Sequence, residues 1–113
     1  MKWAWRDLVR QESPEHEYAD PARHDLAAPC LYTHWDLCAI RQCGVLFAYM
    51  EADNPSGIGL SLEVGYALAL GKLVVLVDEK HDPRMAIVRE AAGVVFDRLD
   101  DGIAFLQALE KIP

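Results

Sequence analysis

Residues 44–78 read GVLFAYMEADNPSGIGLSLEVGYALALGKLVVLVD, and the changes of pattern inside this stretch decide the fold class. GVLFAYM (44–50) is a continuous apolar run, as expected of a strand buried on both faces. EADNPSG (51–57) is turn chemistry throughout. A helix is expected over residues 59–70, closed by Gly71 where a left-handed residue commonly ends a helix. KLVVLVD (72–78) is a second buried strand. Strand, crossover helix and strand in this order build a parallel sheet, and such sheets take ligands at the carboxyl ends of their strands.

Working outward, the same alternation continues. Residues 2–11 predict a short helix with Trp3, Leu8 and Val9 inward, and residues 16–20 (HEYAD) a short strand. Residues 21–33 read as a loop with two prolines, and residues 34–43 as a helix with Leu37, Ile40 and Cys38 inward. Past the central stretch, a loop over 79–85 leads into a helix near 83–91. GVVFD (93–97) is a third strand, and 99–112 an amphipathic helix burying Leu99, Ile103, Leu106 and either Leu109 or Ala108. The expected architecture is a three-layer α/β sandwich, one domain over residues 1–113, with a mostly parallel sheet in Rossmann-like or flavodoxin-like order.

Composition narrows the function classes. The 113 residues carry 11 basic and 18 acidic side chains, a net charge of −7. That balance argues against gripping a polymeric nucleic acid, which needs a basic surface, but not against a single nucleotide met by backbone N–H groups. No apolar run is long enough to cross a bilayer, and MKWAWRDLVRQE is too polar for a signal peptide, so a cytoplasmic protein is expected. Cys30, Cys38 and Cys43, with His34 between them, lack the close pairing of structural zinc sites and read as buried thiols, not metal ligands.

Glu63 is the single charged residue of the expected helix 59–70, near its start and with no Lys or Arg at helical spacing. The positive end of the helix dipole favours an ionised carboxylate there. Such a group, facing the ligand edge, can act as nucleophile or base. The competing reading makes Glu63 an N3 residue that bonds its own helix N-terminus. Gly57 and Gly59 let a ligand approach the backbone of the preceding loop.

GLSLEVGYALALGK (59–72) resembles the signature of the nucleoside 2-deoxyribosyltransferase family, which includes related deoxynucleoside monophosphate N-glycosidases. The similarity extends upstream to HWDLCAIRQCGVLFAYM and downstream to VVFDRLDDGIAFLQAL, covering residues 34–110 in order. The resemblance implies cleavage or transfer of the N-glycosidic bond of a 2′-deoxynucleoside or its 5′-monophosphate through a glycosyl-enzyme intermediate. Glu63 matches the family's nucleophile and Asp36 the acid that serves the departing base, although Thr33 and Asp36 also spell a capping box. Tyr66 matches a position one turn later, where it orients Glu63 or packs. The family's sugar-binding acid falls on Gly57, and its phosphate-binding serine has Ser56 one place away, with Asp53 and Asn54 near. Ser56, Gly57 and the helix N-terminus would then form a phosphate cradle, unless DNPSG is only a turn.

The family also opens with a strand whose counterpart is not found here, since WAWRDLVRQ resembles the helix that follows it. An unpaired sheet edge and the apolar Trp3 and Trp5 then point to a homodimer or higher homo-oligomer. His81 and Arg84 are candidate anion contacts at the same sheet edge. The chemistry needs no metal and no organic cofactor. The alternative function is an inactive nucleotide-binding or regulatory module on the same fold, and a purely structural interaction domain leaves Glu63 without purpose.

Overall fold

In a computed structural model the described residues are 4–19 and 25–113, with side chains of the first helix described from Arg6 onward. Three parallel strands, β1 (Val45–Met50), β2 (Leu73–Asp78) and β3 (Gly93–Phe96), lie in the order β1-β2-β3. Val45 pairs with Leu73, and Val74 with Gly93. Five helices cover the sheet: α1 (Ala4–Glu12), α2 (Pro29–Gln42), α3 (Ile58–Ala69), α4 (Ala86–Ala92) and α5 (Leu99–Glu110).

Strand parity sorts the core into two halves. Ala48 and Met50 of β1, with Val74 and Leu76 of β2, point to one face and pack on α2, α3 and α4 through Ile40, Val64, Ala67 and Val88. Val45 and Phe47 point to the other face, where Val9 of α1 meets Ile103 and Leu106 of α5. Helices on both faces of a parallel sheet make the expected Rossmann-like sandwich. Each crossover is short and closed by defined chemistry. Gly71, at φ 73°, ends α3 in a Schellman motif: Lys72 N–H donates to Ala67 O at 2.9 Å and Gly71 N–H to Leu68 O at 3.0 Å.

Several expectations are corrected. The central strand is β2, buried along Val74–Asp78, whereas 45–50 forms an edge strand with only Ala48 and Met50 buried. Helix α2 begins five residues before the expected 34, because Pro29 sits at its first turn, where proline's fixed φ and missing N–H suit the helix. Residues 16–19 are not a strand. They are held over α5 by side chains instead: His16 Nε2 bonds Leu106 O at 2.9 Å and Tyr18 Oη donates to Ser13 O at 2.5 Å. Cys30 and Cys38 are exposed and Cys43 is half-buried, so the thiols are not core residues. Leu8 is exposed while Val9 is buried, and in α5 Ala108 is exposed. Trp3, Asp20 and the side chain of Trp5 lie outside the described residues, and with them the interface expected at the two tryptophans.

Candidate active site

The Gly57–Gly71 segment positions Glu63. Gly57 takes φ 73° as the cap residue of α3, and a Cβ there would overlap Met50 Cε and come within 3.3 Å of Met85 Sδ. Its glycine is thus demanded twice, by backbone conformation and by the close approach of the loop to the core. From this start Glu63 falls in the second turn of α3, not at N3, which is Leu60. The capping role is therefore excluded for Glu63. Thr33 and Asp36 likewise lie inside α2, four and seven residues after Pro29, so they form no capping box.

Packing of α2 against α3 instead brings Asp36 and Glu63 to one cavity of about 740 Å³. Consecutive residues Gly44–Phe47 line it, as do Val9 and Leu106 from one helical layer and Ile40 from the other. A cavity touching both layers, Gly44 and the first three residues of β1 runs along the free edge of that strand. It therefore does not sit at the carboxyl ends of the strands, where it was expected. The cause is the edge position of β1, which leaves a groove between the two helical layers.

Glu63 is half-buried and makes no hydrogen bond or ion pair among the described residues. Its pKa is pushed up to about 7, first by loss of hydration and second by the negative charge of Asp36, while the Arg6 guanidinium draws it down. The expected helix-dipole stabilisation of the ionised form does not prevail, because Glu63 lies a turn deeper than the dipole's short reach. Arg6 also lines the cavity, and Arg6 Nη1 and Asp36 Oδ1 are both buried. Arg6 was not singled out in the sequence. Its signal was there: it stands three residues before Val9 on the inward stripe of α1, where a charge is unusual.

The other expected site residues stand apart from this cavity. Asn54 Oδ1 accepts from Ser56 N–H at 3.2 Å and Gly57 N–H at 2.9 Å, so two donors of the supposed phosphate cradle are already taken. Ser56 Oγ lies 3.4 Å from the Ile58 N–H, and Gly59 is exposed on α3. Tyr66 does not reach Glu63; its hydroxyl accepts from Arg41 Nε at 3.1 Å. Arg84 forks onto Asp82, with Nη2 2.6 Å from Oδ2, and His81 stands 3.6 Å from Asp97. Near them Asp78, 1 % exposed, accepts from Arg89 Nη1 at 2.9 Å and from the N–H groups of Lys80 and His81. That cluster is saturated by its own partners and fixes the loop after β2.

With this geometry in place, the chain can be set beside known proteins. Its fold is similar to that of the CMP N-glycosidase BcmB of Clostridium botulinum, with a TM-score of 0.64 over 98% of this chain and 90% of that one. Sequence identity is 18%, so the likeness is one of fold. No protein-family model matches the chain, and no curated protein matches it in sequence. Among the described residues no helix is long and apolar enough to cross a membrane.

Proposed function

We propose that this chain breaks the N-glycosidic bond of a nucleoside or, preferentially, its 5′-monophosphate, with Glu63 as nucleophile and Asp36 as the acid for the leaving base. The observation that carries this reading is the convergence of two carboxyl groups on one cavity, Glu63 being half-buried and titrating near neutrality. An oxocarbenium-like transition state needs an anion on one face of the sugar and a proton donor at the leaving group. The reactive form of the singly protonated pair carries its proton on Asp36: Glu63 attacks C1′ as the C1′–N bond breaks, and the base departs with that proton. Water then adds to C1′, gives its proton to Asp36 and releases the Glu63 carboxylate. A second base in place of water turns the reaction into a transfer.

The fold likeness to a protein that acts on CMP supports including cytidine nucleotides among the substrates, with ribose and 2′-deoxyribose side by side. The test is incubation with a panel of nucleosides and 5′-monophosphates, followed by chromatography for free base. Base should appear from at least one 5′-monophosphate, and Glu63→Ala should reduce its rate by on the order of a thousandfold or more. A thermal shift with nucleotide and no released base would instead establish the binding module. Undiminished release by Glu63→Ala would remove the nucleophile from the scheme.

A further inference from the structure

The cavity at Glu63 is sorted by charge. The whole chain carries 18 acidic against 11 basic side chains, yet the cavity lining sets Arg6, Arg10 and Lys72 against Glu17, Asp36 and Glu63. The two carboxyl groups of the proposed reaction stand on α2 and α3, whereas Arg6 and Arg10 stand on α1. Four residues apart, the arginines share one face of that helix, Arg10 about 6 Å further along its axis. Beside Arg10 lies a second hollow of about 280 Å³, lined by Arg10, Pro14, His16 and Tyr18. Three of these four residues also line the main cavity, so the hollow is a side chamber of it.

The chamber is walled by groups that suit an anion. Arg10 Nη1 lies 3.2 Å from Asp7 Oδ1, but the Asp7 side chain is 83 % exposed, and surface pairs of this kind hold weakly. The Arg10 guanidinium, only 23 % exposed, can exchange that partner for a dianion. Its charge reaches the chamber wall: burial raises the Tyr18 pKa above 10, and Arg10 acts against that rise. His16 Nε2 is committed to Leu106 O at 2.9 Å, with Glu110 Oε1 at 3.9 Å, while Nδ1 makes no hydrogen bond among the described residues. The loop before α3 cannot serve instead, since Asn54 already takes the Ser56 and Gly57 N–H groups. We propose that the side chamber holds the 5′-phosphate of the nucleotide, Arg10 forking onto two phosphate oxygens and His16 Nδ1 sharing a proton with a third. This assignment rests on the reaction proposed for Glu63 and Asp36, and it names the contact that makes a monophosphate the preferred substrate. C1′ lies at Glu63, within reach of the Arg6 charge. The base points to Asp36 on α2, and the C5′ arm runs the other way, one turn along α1 to Arg10. That separation matches the span of a pentose from C1′ to its 5′-phosphorus.

Isothermal titration calorimetry of the full chain with ribose 5-phosphate and with ribose tests the chamber apart from catalysis. The phosphorylated sugar should bind about tenfold more tightly or better, and Arg10→Gln should abolish that advantage. Arg10→Lys, which keeps the charge but not the fork, should keep part of it and guards against a variant that fails to fold. Equal or undetectable binding of the two sugars by the parent overturns the inference, as does an advantage that Arg10→Gln leaves whole. In turnover, kcat/KM for cytidine 5′-monophosphate relative to cytidine should fall in Arg10→Gln by the same factor, and an unchanged ratio also overturns it. If the parent releases no base from any nucleotide while Arg10→Gln still loses ribose 5-phosphate, the chamber stands and the glycosidase reading falls.

Discussion

Glu63 keeps its proton up to about pH 7 because its carboxyl has lost water and faces Asp36. The consequences for folding and for chemistry have opposite signs. With a folded-state pKa above the ordinary 4.5, the folded protein favours the protonated form, so stability is lost as pH rises from about 4.5 through 7. Glu63→Gln should therefore melt like the parent at pH 4 and be more stable at pH 8, by on the order of 3 kcal/mol at most. Catalysis needs ionised Glu63 with a proton on Asp36, so kcat/KM of the parent should rise with pH towards about 7 and fall again once both carboxyl groups are ionised. Arg6 sets the position of the rising limb. Removing its charge in Arg6→Gln raises the pKa of Glu63 further, and the limb in the pH–rate profile should move to higher pH. An unmoved limb would show that Arg6 does not tune the nucleophile.

The segment from β1 to β2 shows how far local chemistry fixes an element and where it stops. Both strands, the helix between them and the closing role of Gly71 were legible, because each rests on nearest-neighbour rules of periodicity and backbone conformation. The start of α2 was not, since Pro29 reads as a loop residue until the helix after it is known. Asp36 and Glu63 were legible as candidates. Their common cavity was not, because it depends on α2 packing on α3 and on β1 lying at an edge. Gly57 was read as leaving room for a ligand, and the structure shows room left for Met50 and Met85. Gly57→Ala should accordingly destabilise the fold by about 1–3 kcal/mol, from a positive φ and an overpacked core together, measured by denaturant unfolding. A neutral result would mean that the loop is free to shift.

The molecule as a whole combines an acidic surface, an apolar outer face on α3 and a groove along one edge of its sheet. The groove carries the functional claim, because it is where the β1 edge, α2 and α3 bring the two carboxyl groups together. The most direct measurement is intact-protein mass spectrometry after rapid acid quench of turnover on a nucleoside 5′-monophosphate, with peptide mapping. The account predicts a sugar-phosphate adduct on Glu63 that is absent from Glu63→Gln. Release of base by an adduct-free protein, continuing at full rate in Glu63→Gln, would contradict it.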